Sequence, residues 1–266
     1  MIMAAAPEPA RALRVLVTRP AAQAAEWVAE LRANGLTTAV ALPLIGIDAV
    51  EDPGELIDAW RSLAQHRLAS FVSPNAVQHF FAHRPAGTLW PVTLLAGSPG
   101  PGTTRALVDA GVALAQIVEP AADAAQFDSE SLWAQLRRHD WHGARTLVVR
   151  GDGGRDWLAD TLRAAGAEVM HVAAYRRCMP RFGAAEQALL HAATAAPAEH
   201  LWLFSSSEAI DNLAALAPAG TAWHDARAVA THPRIVARAR GLGFASVLET
   251  RPSLAAVVAC IQSIRP

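Results

Sequence analysis

Hydroxyl, glycine and arginine residues are concentrated in six short segments of this chain, each between an apolar run and an amphipathic one. The segments are Thr18-Arg19-Pro20, Ser73-Pro74-Asn75, Gly100-Pro101-Gly102-Thr103-Thr104, Arg150-Gly151-Asp152-Gly153-Gly154-Arg155, Ser205-Ser206-Ser207 and Thr231-His232-Pro233-Arg234. Helix capping explains any one of them, because side-chain oxygens satisfy the first free N–H groups of a helix. Six together predict several exposed helix N-termini, supplemented by arginine, and therefore an acidic ligand.

The segment from Arg150 to Arg155 has the composition of a phosphate-binding turn. It has neither G-x-G-x-x-G spacing nor a G-K-[ST] ending, so nucleotide binding has weak support. A solvated turn and an anion-contacting loop are equal alternatives for it.

Two further groupings fall short of known catalytic patterns. Ala96-Gly-Ser98-Pro-Gly100 approximates the nucleophile elbow of serine hydrolases, but the residue after the serine must donate its N–H to an oxyanion and Pro99 has none. His79 and His83 could share a helix face as metal ligands do, yet no acid lies between them to complete a metalloprotease pattern. We expect no hydrolase chemistry at Ser98 and no metal site, with both histidines at or near the surface.

The composition excludes several classes of function. The chain has 266 residues, 52% hydrophobic and 18% charged, with a net charge of -1, which favours two ordinary globular domains and no general affinity for nucleic acid. All 23 basic residues are arginine, so lysine Schiff bases and P-loop lysines are excluded. Two cysteines lack zinc-site spacing and are a thin basis for a disulfide scaffold, which favours the cytoplasm.

No targeting or membrane segment is expected. Residues Met1 to Ala10 lack a basic region followed by an apolar one, as an export signal would have. The longest apolar stretch, from Leu36 to Val50, is interrupted by Pro43 and Gly46.

The sequence repeats itself at a nearly constant offset. The run that begins at Arg14 recurs 131 residues later at Arg145, and the run at Phe71 recurs 133 residues later at Phe204. Pro101 precedes its counterpart by 132 residues. A shared offset across three separated blocks predicts duplication of a whole domain, with the ligand held where the two copies face each other.

Each segment described above lies between a predicted strand and a predicted helix. Because the predicted strands are continuously apolar rather than alternating, they indicate parallel sheets covered on both faces, and the fold class is α/β, doubly wound, in two similar domains. Ligands bind such sheets at the carboxyl ends of the strands. The predicted pairs are 13–18 with 21–34, 68–72 with 75–83, 92–96 with 103–110, 146–149 with 156–165, 201–204 with 208–216, and 226–231 with 234–242. Asp128 is predicted to cap a further helix.

Tyr175 is the only tyrosine and stands beside Arg176 and Arg177. It follows the repeated segment at the position where the first copy has Leu44. Structure alone could retain a buried phenol with a hydrogen-bond partner, but the location near a domain crossover favours a role in a cleft.

The ordered set of motifs resembles the uroporphyrinogen-III synthase family. The set comprises Thr18-Arg19-Pro20, Ser73-x-Asn75-Ala76-Val77, Gly100-Pro101-Gly102-Thr103, Ser129-Glu130-x-Leu132, Arg150-Gly151 with Gly154-Arg155, Val172-x-x-Tyr175-Arg176 and Ser205-Ser206. The resemblance runs from about Arg14 to the C-terminus. It implies two domains joined by a two-stranded linker, residues 11–43 with 176–266 and an inserted domain of residues 44–175, with the active site in the cleft between them. The repeat alone would equally fit a sequential split near residue 140.

The resemblance also implies an activity, which is the cyclisation of hydroxymethylbilane to uroporphyrinogen III with loss of water and inversion of the last pyrrole ring. It implies neither a cofactor nor a metal, a monomeric cytoplasmic enzyme, and transient contact with hydroxymethylbilane synthase. Tyr175 would assist departure of the hydroxyl. Substrate would contact Thr18, Arg19, Ser73, Asn75, Gly102, Thr103, Thr104, Arg150, Gly151, Arg155, Ser205, Ser206, Thr231 and Arg234.

The chain departs from the family pattern at His232-Pro233-Arg234, where relatives have a Gly-x-Thr helix start. Arg234 could replace hydroxyl contacts there by a charged one. A different reading of two α/β lobes is a non-catalytic cytoplasmic binding protein for an acidic small molecule. A nucleotide-dependent oxidoreductase is weakened by the incomplete dinucleotide fingerprint.

Overall fold

The structure, a computed structural model, describes residues 13–264. The expectation for Met1 to Ala10 therefore lies outside the described residues, as do residues 11 and 12 of the expected first domain. The strands are β1 (Arg14–Val17), β2 (Val40–Ala41), β3 (Gly46–Ala49), β4 (Leu68–Phe71), β5 (Leu95–Gly97), β6 (Ile117–Val118), β7 (Arg145–Gly151), β8 (Glu168–Cys178), β9 (His200–Phe204), β10 (Arg227–Ala230) and β11 (Ser246–Glu249). The α-helices are α1 (Ala21–Ala33), α2 (Gly54–Ser62), α3 (Pro74–Ala82), α4 (Pro101–Asp109), α5 (Ser129–Leu136), α6 (Trp157–Ala164), α7 (Ala184–Ala195), α8 (Ser207–Leu216), α9 (Pro233–Leu242) and α10 (Leu254–Ser263).

Contacts divide the chain into two compact units. The first contains the chain up to Gly46 and again from Met179 onward, and the second is the continuous segment Ile47–Cys178. The chain enters the second unit through β3 and leaves it at the end of β8, and these two strands are neighbours in one sheet.

The first unit is built on a five-stranded sheet in the order β11-β10-β9-β1-β2. All four strand pairs are parallel, and Arg14 to Val17 of β1 align with His200 to Leu203 of β9. Apolar side chains are buried on both faces. Val15 lies in a cluster that includes Val28 of α1, whereas Trp202 stacks on Phe204 at 5.9 Å and contacts Phe244. Continuously apolar strands are stable here because helices cover both faces.

The second unit has a six-stranded sheet in the order β3-β8-β7-β4-β5-β6. The pairs β4–β5, β4–β7, β5–β6 and β7–β8 are parallel. Side chains that alternate along β4 enter different cores: Ala69 and Phe71 join a cluster with Trp60 and Phe80, while Leu68 joins Leu132 and others. This sheet is therefore also covered on both faces, which confirms the α/β fold class with parallel sheets.

The two sheets have the same strand order if β9 of the first unit is taken as the counterpart of β4 in the second. The order β11-β10-β9-β1-β2 of the first unit then corresponds to β6-β5-β4-β7-β8 of the second unit. The repeated sequence blocks lie on corresponding elements, namely β1 and β7, β9 and β4, and α9 and α4. The copies differ in that the second has the additional strand β3, and in that β8 has 11 residues whereas β2 has only 2.

The predicted strand–helix pairs are present with small changes of boundary, and one strand differs more. The expected strand 92–96 begins only at Leu95. Val92 is 89% exposed, and the N–H of Leu94 donates to the carbonyl of Pro91, so the chain turns before the strand starts. Asp128 caps α5 as expected, since its side chain accepts from the N–H of Ser131. Among the described residues, no helix combines the length and apolarity needed to span a membrane.

Candidate active site

Each sheet has a point at which its strand order reverses, between β9 and β1 in the first unit and between β4 and β7 in the second. Connections leave the two neighbouring strands in opposite directions there, which opens a crevice outside their carboxyl ends. About half of the residues selected from the sequence follow these four strands, and the others lie at the ends of β7 and β8 or follow β5 and β10.

In the second unit, Tyr175 is fitted against the backbone at the end of β7. The register between β7 and β8 shifts between Arg150 and Gly151, so that Gly151 pairs with Tyr175. A Cβ on Gly151 would lie 3.0 Å from Cε2 and 3.1 Å from Cζ of the tyrosine ring. Such distances are tighter than most Cβ contacts, so a larger residue than glycine at this position would require the tyrosine ring to shift.

The Tyr175 side chain is 1% exposed, and its hydroxyl has two polar neighbours. The hydroxyl lies 3.1 Å from Oγ of Ser73, and Nη2 of Arg177 donates to it at 3.5 Å. The imidazole of His79 lies against the ring with 5.8 Å between centroids. Burial, followed by the charge of His83, lowers the pKa of His79, so this neighbour is neutral at pH 7. The tyrosine is therefore held by contacts from α3, β7 and its own strand.

Ser73 and Asn75 lie at the start of α3, directly after β4. Ser73 is the N-cap, and its Oγ accepts from the N–H of Ala76 at 3.2 Å. Pro74 occupies the first turn, where its missing N–H costs nothing. Asn75 is buried at the helix start. Local sequence thus fixes Ser73 as a hydroxyl at a helix N-terminus beside the tyrosine.

The loop after β5 is organised around Ser98. Its hydroxyl donates to the carbonyl of Gly100 at 2.9 Å, and Oγ1 of Thr104 lies 2.9 Å from its oxygen. Thr104 also donates to Glu119 at 2.5 Å. Thr103 is buried and Gly102 is exposed at the N-terminus of α4. Ser98 therefore holds the turn together, and Gly102 is the most accessible of the predicted residues here.

The arginine near the end of β7 and the one in the following loop are held by ion pairs within the unit. Arg150 pairs with Asp156 and donates to the carbonyl of Gly154 at 2.9 Å. Arg155 binds both oxygens of Glu130, at 2.6 and 3.1 Å. That hydrogen bond raises the pKa of Arg155, while the Arg150 hydrogen bond lowers the pKa of Asp156. Both guanidiniums are thus engaged by carboxylates, and a ligand would have to share or displace those partners.

In the first unit, Thr18 and the two serines lie at the ends of β1 and β9. Thr18 is buried, and its hydroxyl donates to the carbonyl of Leu203 at 2.8 Å, which ties the two strands together. Ser206 is the N-cap of α8 and accepts from the N–H of Glu208 at 3.2 Å. Ser205 is half-buried between them. The hydroxyl proton of Thr18 is therefore already used in a hydrogen bond within the protein, whereas Ser205 and Ser206 lie at a helix N-terminus.

The Arg19 side chain is half-buried and stacked on an aromatic ring. Its guanidinium carbon lies 4.2 Å from the centroid of Trp27, and its Nε is buried without a hydrogen-bond partner among the described residues. Burial lowers the pKa of Arg19 to about 10, an effect that the charge of Glu26 partly offsets. The side chain remains cationic at pH 7, and a desolvated cation of this kind favours an incoming anion.

The remaining predicted residues surround the start of α9. Thr231 is buried and Arg234 is exposed. His232 is the N-cap, because its Nδ1 accepts from the N–H of Arg234 at 3.1 Å. Imidazole therefore performs the capping that a hydroxyl usually performs.

The structure brings Ser73, Gly151 and Tyr175 into one cluster and places Thr18, Arg19 and the two serines on adjacent strand ends of the other unit. The sequence placed Arg177 beside Tyr175 without assigning it a role, and it did not predict His79 as a neighbour of the tyrosine. Only the helical spacing of His79 could have suggested that contact. Within residues 13–264, no group of three or more His, Cys, Asp or Glu side chains could hold a metal ion.

Known proteins are similar to this chain in sequence and in fold. Residues 25–259 match the family model described as "Uroporphyrinogen-III synthase HemD". The uroporphyrinogen-III synthases of Salmonella typhimurium and Escherichia coli K12 are each 32% identical to this chain, over 181 and 178 residues, covering 66% of this chain and 70% of theirs.

Two solved structures share the fold. A variant of the Thermus thermophilus uroporphyrinogen III synthase has a TM-score of 0.56 at 18% identity, covering 94% of this chain and 96% of its own. The Helicobacter pylori 26695 uroporphyrinogen-III synthetase has a TM-score of 0.55 at 13% identity, covering 95% and 100%. Because the family model matches most of this chain, the chain belongs to the uroporphyrinogen-III synthase family.

Proposed function

We propose that this chain catalyses the cyclisation of hydroxymethylbilane to uroporphyrinogen III, in tetrapyrrole biosynthesis, with loss of water and inversion of the last pyrrole ring through a spiro intermediate. The observation that carries the proposal is the family match over residues 25–259. The crevices at the carboxyl ends of two parallel sheets support it, since they combine helix N-termini with arginine.

The chemistry needs little acid–base machinery. The pyrrole nitrogen drives ionisation of the hydroxymethyl group, and free hydroxymethylbilane cyclises unaided to the non-inverted isomer. The protein therefore contributes a conformational restraint that favours attack through the substituted ring carbon, together with electrostatic stabilisation of the cationic azafulvene.

The substrate has eight carboxylates, and the predicted binding residues are suited to them. Hydroxyls and N–H groups at the starts of α3, α4 and α8 would bind acetate and propionate arms, with Arg19, Arg150, Arg155 and Arg234 supplying charge. Thr18, Ser73, Asn75, Gly102, Thr103, Thr104, Gly151, Ser205, Ser206 and Thr231 complete the proposed set. Tyr175 assists departure of the hydroxyl by hydrogen bonding. The substrate occupies the cleft between two domains, residues 11–43 with 176–266 and residues 44–175.

The cellular setting follows from the same reaction. The proposed enzyme works in the cytoplasm as a monomer, without a cofactor or metal, and receives its unstable substrate through transient contact with hydroxymethylbilane synthase.

A coupled assay tests the activity. Porphobilinogen is converted by hydroxymethylbilane synthase in the presence and absence of this protein, and the oxidised porphyrins are resolved by isomer. We expect the type III isomer to predominate when the protein is present and the type I isomer when it is absent. Type I product alone would contradict the proposal. If the protein were protected against thermal unfolding by a tetrapyrrole and yet gave no type III product, it would be a binding protein.

A further inference from the structure

The hydroxyls of Tyr175 and Ser73 differ in their access to a ligand. Tyr175 is 1% exposed, and its hydroxyl contacts the side chains of Ser73 and Arg177. Ser73 is half-buried at the start of α3 and outside the carboxyl end of β4, where the strand order reverses. A group that leaves from a bound substrate would meet the serine before the phenol.

Hydrogen-bond accounting gives the direction of the contact between the two hydroxyls. Arg177 can only donate, so it occupies a lone pair of the phenol oxygen. If Ser73 also donated to that oxygen, the phenol proton would be buried without an acceptor, which is unfavourable because a buried donor loses its hydrogen bond to water. The phenol therefore donates to Ser73. The serine oxygen then accepts from both Tyr175 and the N–H of Ala76, and its own proton is free to point outward.

We propose that the Ser73 hydroxyl is the catalytic hydrogen-bond donor to the departing hydroxyl group, and that Tyr175 and Arg177 act through it as positioning residues. The proposal rests on the proposed function and refines the part that Tyr175 has in it. The position of Ser73 at a helix N-terminus strengthens its donation, because the free N–H groups and the helix dipole stabilise negative charge that develops on its oxygen.

The relay conserves atoms and charge. The C–O bond of the hydroxymethyl group breaks, and its electron pair remains on oxygen, which takes the proton of Ser73 and leaves as water. The phenol proton moves to Ser73, and the resulting phenolate lies beside the guanidinium of Arg177. The terminal pyrrole carbon loses one proton when the new C–C bond is complete, and that proton restores the phenol.

Four variants test the order of the relay. Ser73→Ala should lower kcat about 100-fold, and Tyr175→Phe about tenfold, because the phenylalanine leaves the serine donor in place. The double variant should be no slower than Ser73→Ala, since both changes interrupt one path. Ser73→Thr, which keeps a hydroxyl and a helix cap, should recover most of the activity.

Ser253→Ala is the matched control for the lost helix cap. Ser253 caps α10 by accepting from the N–H of Ala256 at 3.4 Å, as Ser73 caps α3. We expect Ser253→Ala and Ser73→Ala to lower the melting temperature by similar amounts, with kcat falling only in the second. A larger loss from Tyr175→Phe than from Ser73→Ala, or additive losses in the double variant, would overturn the proposal.

A second measurement is independent of turnover. Because the chain has a single tyrosine, labelling with 3-fluorotyrosine gives one ¹⁹F resonance that reports on position 175. Ser73→Ala should shift this resonance and Ser253→Ala should not; no shift in either would show that the two hydroxyls are not in contact. A wild-type protein that gives no type III product would overturn the proposed function as well, whereas an active protein with a fully active Ser73→Ala variant would overturn this inference alone.

Discussion

At the residue scale, the site depends on how little freedom its groups have. Tyr175 packs on Gly151, forms a hydrogen bond with Ser73 and lies against His79. These three contacts restrict the position of its hydroxyl. Arg19 stacks on Trp27, and its Nε has no hydrogen-bond partner within residues 13–264. A rigid, desolvated donor requires little reorganisation when a charged substrate binds, which is the condition for electrostatic stabilisation.

Gly151 is a position where one methyl group should change catalysis. In Gly151→Ala the new Cβ would collide with the Tyr175 ring, and the strain would cost about 1–3 kcal/mol of stability or displace the hydroxyl from Ser73. We expect kcat to fall at least about fivefold. Gly153→Ala is the control, because a Cβ there has no neighbour within 4 Å. Steady-state kinetics give kcat for both variants. Equal values would show that displacement of the Tyr175 ring does not affect catalysis.

Arg19 should contribute to binding at the expense of stability. Removing a half-buried cation whose Nε has no hydrogen-bond partner among the described residues relieves its desolvation cost, so Arg19→Met should melt no lower than the wild type. The same change removes the proposed charge-assisted contact to a substrate carboxylate and should raise KM about tenfold or more. Arg14→Met, on the exposed residue at the other end of β1, is the control and should leave KM unchanged. A lower melting temperature with an unchanged KM would make Arg19 a structural residue.

At the element scale, the strands and helices were predictable where hydrophobicity and capping agree. β4 and β9 are mostly apolar and buried along their whole length, and they are followed by Ser73 and Ser206, whose oxygens cap the next helix. The strand expected at 92–96 starts late because Val92 is apolar yet lies in an exposed turn. Apolar character identifies residues that can be buried, but the turn at Pro91 decides which ones are.

The contacts among the predicted site residues were less predictable than the residues themselves. The loops were identifiable because hydroxyls, glycine and arginine follow apolar runs. The pairing of Gly151 with Tyr175 depends on a register shift between β7 and β8, and a one-residue shift in pairing has no signature in composition. The partners of Arg150 and Arg155 likewise depend on side-chain positions that only the folded chain defines.

At the scale of the whole molecule, the duplicated halves follow one plan with different chain connections. The corresponding strand orders begin at β9 in one unit and at β4 in the other. As a result the second unit is continuous in sequence, whereas the first is assembled from both ends of the chain. An insertion of this kind requires the inserted unit to form its own core, since its neighbour in sequence is incomplete until the chain ends.

The continuous unit should therefore fold alone. The segment Ile47–Cys178 contains two buried clusters, one around Trp60, Phe71 and Phe80 and another around Leu132 and Leu162, and both are complete within it. Expressed as residues 47–178, it should show helical circular dichroism and a single cooperative thermal transition, as domains of this size usually do. Its 3-fluorotyrosine resonance should match that of the full chain, because Ser73, Gly151 and Arg177 are all present.

The same fragment separates the roles of the two units. It retains the proposed donor but lacks Arg19, Ser205 and Ser206, so we expect no type III product from it even when it is folded. Residues 13–46 alone should remain unfolded, because β1 pairs with β9 and its core includes Val257 of α10. Failure of the fragment 47–178 to fold would contradict the independence of this unit. Production of the type III isomer by the fragment alone would contradict the proposal that one unit contains the donor and the other completes the binding site.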